Sequence, residues 1–202
     1  MSTRLSTGLS TGLSTRLGTR RQRAADAAIE VIAEQGLRGL THRAADARAG
    51  LPAGSTSSCF RTRRSLLEGV LERLLELDEP AVTRLPPGAW STRDQAAATL
   101  AGLLKHWLGP ARIRTRARMQ LSLDAGDGAL LRAELNAAGE RFVRMAEEGL
   151  RAAGVPDAGR AARMLVAQLD GVLFDALARP SPEKEEETWL HHAATTIMRA
   201  IP

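Results

Sequence analysis

A single cysteine, Cys59, stands in 202 residues. It cannot close an internal disulfide or complete a CxxC pair, which excludes a stapled secreted scaffold and a zinc finger. Lysine is nearly as scarce, with only Lys105 and Lys184. The positive charge therefore rests on arginine, whose planar fork suits phosphate oxygens. No run approaches the roughly 18–20 apolar residues that span a bilayer. No apolar segment with a small-residue cleavage site opens the chain, so the expected location is the cytoplasm, without membrane contact. The four histidines (42, 106, 191 and 192) show no HExxH spacing, and no GxGxxG or GxxxxGK[ST] loop is present. His191 and His192 are adjacent, so on a helix they point to different faces and make a poor metal pair. No nucleophile–base arrangement stands out. No catalytic residue, metal ligand or cofactor is assigned, and the expectation is a protein that is not an enzyme.

Hydrophobic residues make up 44% of the chain, too many for a wholly disordered one. The net charge of +5 is unevenly placed. Residues 1–65 hold eleven arginines against four acids, a balance of +7, which leaves −2 for the remainder. A basic head on a mildly acidic body suggests that the head meets a polyanion. Residues 2–17 read STRL-STGL-STGL-STRL. Their leucines recur every fourth position, but Ser, Thr and Gly fill most of the rest. Residues 1–19 are expected to be a disordered arm that could also touch DNA through its arginines.

From Arg20 the text turns helical. Ala24, Ala28, Ile29, Ile32 and Ala33 line one face, and Gly36 is a suitable stop. Thr41 can cap a second helix over 42–49, ended by Gly50. Pro52 suits the first turn of a third helix ending near Cys59. Thr62 caps a fourth, which Pro80 should kink or end. Five further helices are expected over 92–108, 111–125, 129–153, 157–179 and 183–200, punctuated by Gly109-Pro110, Gly154 and Pro180. No stretch alternates with period two for long enough to argue a sheet. The expected fold is all-α with about nine helices: a head over 20–65 and a ligand-binding and dimerisation domain over 66–202.

Helix, tight glycine turn, short helix is the helix-turn-helix layout, and its span lies in the basic head. Leu51 and Phe60 can bury between the helices, and the third helix offers small residues that can enter a major groove. The wording of residues 40–60, LTHRAADARAGLPAGSTSSCF, resembles the signature of the TetR family of transcriptional regulators. It looks like the branch with the motif LTHRxVAxxAGLPxGSTxYYF. The resemblance is strong over about residues 20–75. It is softer in the body, where 115–125 (TRARMQLSLDA) and 169–177 (LDGVLFDAL) look like recurring stretches of one ligand-binding domain class of that family.

That resemblance implies a homodimeric DNA-binding regulator, usually a repressor, released from a double-stranded operator by a small-molecule effector. By carry-over, Thr41, His42 and Arg43 lie near phosphates at the start of the second helix. Ala53, Gly54, Ser55, Thr56 and Ser57 face the groove, and Arg63 meets a phosphate at the start of the fourth helix; Ser58, Arg61 and Arg64 complete the DNA-binding candidates. Two departures stand out. Ser58-Cys59 replaces an aromatic or histidine pair. Asp46 replaces a small alanine between the two helices, where an unpaired carboxylate would be costly, so it should pair with an arginine or turn outward. Cys59 reads as a small apolar residue packed inward or as a redox-sensitive thiol. A second reading stays open: a helical small-molecule-binding or enzymatic protein whose head has lost specific DNA binding.

Five of the six aromatics lie in the body. Trp107, Met119, Gln120, Leu123, Phe142, Met145 and Phe174 are the ligand-binding candidates, with Asp124 and Asp170 as further polar handles. Two apolar stripes, one with Leu165, Leu169, Val172, Leu173 and Leu177, the other with Trp189, Leu190, Ala193, Ala194, Ile197 and Met198, suggest a homodimer through the last two helices.

Overall fold

A computed structural model describes residues 6–86, 88–124 and 129–201 of the chain. Among the described residues there are nine α-helices and no strand: α1 (Ser6–Gly39), α2 (His42–Ala49), α3 (Ser55–Cys59), α4 (Arg63–Thr83), α5 (Arg93–Leu108), α6 (Arg112–Asp124), α7 (Ala129–Ala152), α8 (Ala158–Ala178) and α9 (Glu187–Ala200). The all-α expectation is met.

Local chemistry sets most of the boundaries. Thr41, Thr62 and Thr92 accept hydrogen bonds from the first turns of α2, α4 and α5, and Ser65 completes a capping box with Thr62. Gly36 breaks α1 with a φ of 71°, and Gly50 ends α2 at a φ of 59°, both in the region that glycine enters without steric cost.

Four boundaries differ from expectation. Residues 6–19, expected to be disordered, are helical and continuous with α1; extending an existing helix needs no new nucleus. Residues 1–5 of the expected arm lie outside the described residues. The third helix begins at Ser55, because residues 52–54 form a turn in which the Ser55 N–H donates to the Pro52 carbonyl (3.1 Å). Pro80 lies inside α4, which runs on to Thr83. The last helix begins at Glu187, since residues 182–185 form a 3₁₀ turn instead of its first turn.

Two hydrophobic cores result. The head core gathers Ala28, Ile32, Leu40, Ala45, Phe60, Leu66 and Val70 from α1, α2 and α4 and the segments that join them. Phe60 packs so closely on Gly69 that a Cβ there would lie 2.2 Å from the ring. The body core is built from α5, α7, α8 and α9, with Leu100, Leu104, Leu150, Leu165, Leu173, Leu190 and Ala194 among its buried members.

The cores are joined by α4 and α6. The N-terminal half of α4 buries Leu66, Leu67, Val70, Leu71 and Leu74 in the head. From α6, Ala117 and Leu121 join the same head core, though the helix follows α5 of the body. Buried Thr115 ties the start of α6 down, its hydroxyl donating to the carbonyls of Trp107 (2.9 Å) and Ala111 (3.1 Å).

Candidate DNA interface and ligand cavity

In the head, α2 and α3 are locked by one carboxylate. Asp46, 4% exposed, accepts from the N–H of Gly54 (2.8 Å), the N–H of Thr56 (2.7 Å) and the hydroxyl of Thr56 (2.6 Å). It neither pairs with an arginine nor turns outward. The unsatisfied donors at the start of α3 supply what the sequence left open. Burial opposes its charged form, but the hydrogen bonds from Thr56 and Gly54 and the nearby His42 outweigh that and hold the carboxyl below the ordinary Asp value. One turn earlier on α2, His42 Nε2 lies 2.7 Å from the Phe60 carbonyl, so the hydrogen-bonded tautomer carries its proton there. The two residues clasp both ends of α3.

This clasp corrects the sequence assignment. Thr56 is 0% exposed and Ser55 is buried, so neither side chain faces outward. The burial of Thr56 goes with its two hydrogen bonds to Asp46, a contact across the turn that residue types alone do not reveal. Ala53, Gly54, Ser57 and Ser58 are exposed, and both serine hydroxyls donate to the Gly54 carbonyl. The Thr41 hydroxyl is engaged as a helix cap. Arg63 does not point away from the head: its guanidinium donates to the carbonyls of Leu37 and Leu40. Arg64 pairs with Glu68.

Other head arginines are also used internally. Arg21 lies over the Phe60 ring at 4.4 Å and pairs with Glu72, while Arg23 donates to the Ala49 carbonyl at the end of α2. Arg73 pairs with Asp26 (2.7 Å). In contrast Arg20, Arg38, Arg43 and Arg61 are exposed, with no ion-pair partner among the described residues. Arg43 and Arg61 flank the exposed surface of Ala53, Gly54, Ser57 and Ser58 in sequence. Cys59 is half-buried against the head core.

The body holds a mostly apolar cavity between α4, α5, α7 and α8, with α6 at one edge. Trp107, Phe142 and Met145 line it, as does Asp170. The other expected residues do not. Leu123 is 69% and Phe174 43% exposed, Met119 packs on the body core, and the buried Gln120 Oε1 has no hydrogen-bond partner among the described residues. Asp124 instead accepts from the Leu37 N–H (3.4 Å), beside the Gly36 break. Sequence reasoning missed Trp90, Asp78 and Arg118. Asp78 is 2% exposed and receives Arg114 Nε at 3.0 Å. Arg118 reaches Asp170 at 3.1 Å. A charged residue at an otherwise apolar position of α4 was the available signal for Asp78.

On α6 the residues sort by function of position. Arg114 and Arg118, four apart, reach α4 and α8 at the cavity; Ala117 and Leu121, four apart, sit in the head core. One rigid helix thus touches both the cavity wall and the packing that supports the helix-turn-helix.

A helix-turn-helix head on an all-helical body with a lined cavity defines a DNA-binding regulator with a built-in sensor domain. A model of the family described as "Tetracyclin repressor-like, C-terminal domain" matches residues 91–202. A TetR-family member from Streptomyces coelicolor A3 is 32% identical over 91% of this chain and 98% of its own, with a TM-score of 0.70. The multidrug binding protein EbrR, solved with imidazole, is 31% identical over 91% of this chain and 95% of its own, with a TM-score of 0.66. A transcriptional regulator from Rhodococcus sp. Rha1 shares the fold at 23% identity, with a TM-score of 0.73 over 90% of this chain and 95% of that one. No curated relative matches the sequence. The chain belongs to the TetR family and is a DNA-binding transcriptional regulator. Among the described residues no helix is long and apolar enough to cross a membrane.

The clasp generates a prediction. Asp46→Asn keeps one acceptor but loses the charge, and should cost about 1–3 kcal/mol near neutral pH, read from urea unfolding. The folded-state value lies below the ordinary 3.8, so the carboxylate's contribution is complete above 3.8 and lost as pH falls through the folded value. The gap between wild type and variant should therefore close in strong acid. A gap independent of pH would contradict the clasp.

Proposed function

We propose that this regulator is a homodimeric repressor that leaves its operator when a planar, lipophilic aromatic cation fills the body cavity. The observation that carries the DNA reading is the surface of small residues, Ala53, Gly54, Ser57 and Ser58, flanked by the uncompensated Arg43 and Arg61. Small side chains admit close approach to base edges, and free guanidinium groups take phosphates and release counterions. The buried Thr56 supports the interface without touching it.

For the effector, EbrR has been solved with ethidium, malachite green and proflavin. The cavity here offers faces of Trp90, Trp107 and Phe142, together with the carboxylates of Asp78 and Asp170. Aromatic faces and acids both favour such a cation. A cation that takes Asp170 from Arg118 alters the anchoring of α6, and with it the head.

The dimer reading is revised at the level of residues. Leu165, Leu169 and Leu173 of α8, and Leu190, Ala194, Ile197 and Met198 of α9, are buried inside the single chain. The outward stripe of α8 is Met164, Ala167, Gly171, Phe174 and Ala178, spaced as the seam of a coiled coil. Beside it α9 presents half-buried Trp189 and Ala193 with exposed Thr196. Exposed Met164 and Phe174 in a stripe of small residues suit a second copy of the same surface.

Two experiments test this reading. In fluorescence anisotropy with genomic fragments, binding should be sequence-selective and steeply salt-dependent. Arg61→Ala should reduce the slope against log salt by about 1, and malachite green should release the DNA. Selectivity absent at every salt concentration would instead favour a ligand-binding protein with an inactive head. For the assembly, light scattering should give a dimer for the wild type and a monomer for Phe174→Glu, and a wild-type monomer at micromolar concentration would refute it.

A further inference from the structure

A hollow on the surface of the body, between the 88–91 turn and the C-terminal half of α7, abuts the cavity. The two share four wall residues: Val82, Leu85, Trp90 and Met145. Their sizes differ sharply. The cavity has a volume of about 60 Å³, the hollow about 480 Å³. Ligand pockets commonly measure ~300–1,000 Å³, so an effector of dye size needs the wall to move.

Val82 and Met145 are fixed within α4 and α7, whereas Leu85 and Trp90 leave the segment that joins α4 to α5. Of these two, Trp90 carries the larger side chain and has a defined seat, at Gly149 of α7. The five-membered ring of its indole lies against α7 at Gly149. A Cβ built on Gly149 would come within 2.6 Å of the indole Nε1 and 2.9 Å of Cε2. The seat exists because position 149 has no side chain. The same glycine weakens α7 by about 1 kcal/mol relative to alanine, a cost without return unless the indole needs the place.

We propose that Trp90 is the gate of the effector site: seated on Gly149 it separates cavity from hollow, and swung away it merges them into one site open to solvent. A gate of this kind sets both the route and the size of the effector. An effector with an apolar ring for the cavity and a polar arm for the hollow, where Glu148 stands exposed at the wall, would hold the gate open. The inference rests on the body being the effector site, but the gate belongs to the wall and can be tested without an effector.

The test places a thiol behind the gate. In a Cys59→Ser background, Ala146→Cys puts a cysteine on a residue that lines the cavity and not the hollow. Its reaction with dithiobis-nitrobenzoate is followed by absorbance. Labelling should be slow in this parent and about tenfold faster with Trp90→Ala, because opening no longer limits access. Gly149→Ala fills the seat while raising helix propensity, so it should also speed labelling without loss of thermal stability. Equal rates in all three proteins would overturn the gate and place the entrance elsewhere, such as the Arg118–Asp170 edge. Failure of the effector reading would look different: the order of labelling rates would hold while malachite green bound none of the variants.

Discussion

The structure depends on a helix that two cores share. Ala117 and Leu121 of α6 are buried with the head, although the helix is tethered to α5 through Thr115 and to the cavity wall through Arg114 and Arg118. Close-packed interiors do not deform smoothly; they shift between discrete arrangements. Under the proposed function, a change at the Arg118–Asp170 pair would be passed to the head as a displacement of Ala117 and Leu121. The contact between Asp124 and Leu37 adds a second link, at the Gly36 break where α1 already departs from helical geometry.

The head responds as a unit because α2 and α3 are tied by Asp46 and His42. Five residues make too short a helix to stand alone. Three donors at its start, satisfied by one carboxylate, and the Phe60 carbonyl at its end, held by His42, give it a fixed orientation. Arg63 and Arg23 add to this rigidity by taking carbonyls of Leu37, Leu40 and Ala49. Arginine spent on backbone carbonyls is unavailable to phosphates. Among the described residues of the head, the arginines exposed without an ion-pair partner are Arg20, Arg38, Arg43 and Arg61.

Much of the fold was legible because its determinants are local. Threonine caps at 41, 62 and 92, and glycine stops at 36 and 50, act within a few residues of themselves. The site was legible in outline only. Trp107, Phe142, Met145 and Asp170 reach the cavity, while Leu123 and Phe174 are exposed. Helix α8 is apolar on two faces, and periodicity does not say which face meets its own chain. Two of the three partners of Asp46 are backbone N–H groups and the third is the Thr56 hydroxyl across the turn, a combination that no opposite-charge pairing could announce. Asp78, Arg114 and Arg118 come together only in the folded chain, where Arg114 of α6 reaches α4 and Arg118 reaches α8.

The central claim, that α6 carries the signal, is tested most directly by a change that alters only its seat in the head core. Leu121→Val removes one methylene from the packed face, at a cost of about 1 kcal/mol. The quantity to measure is the factor by which saturating malachite green weakens DNA binding, in wild type and variant. The account predicts that this factor falls several-fold in the variant while the affinity for malachite green in the absence of DNA is unchanged. An unchanged factor would contradict it.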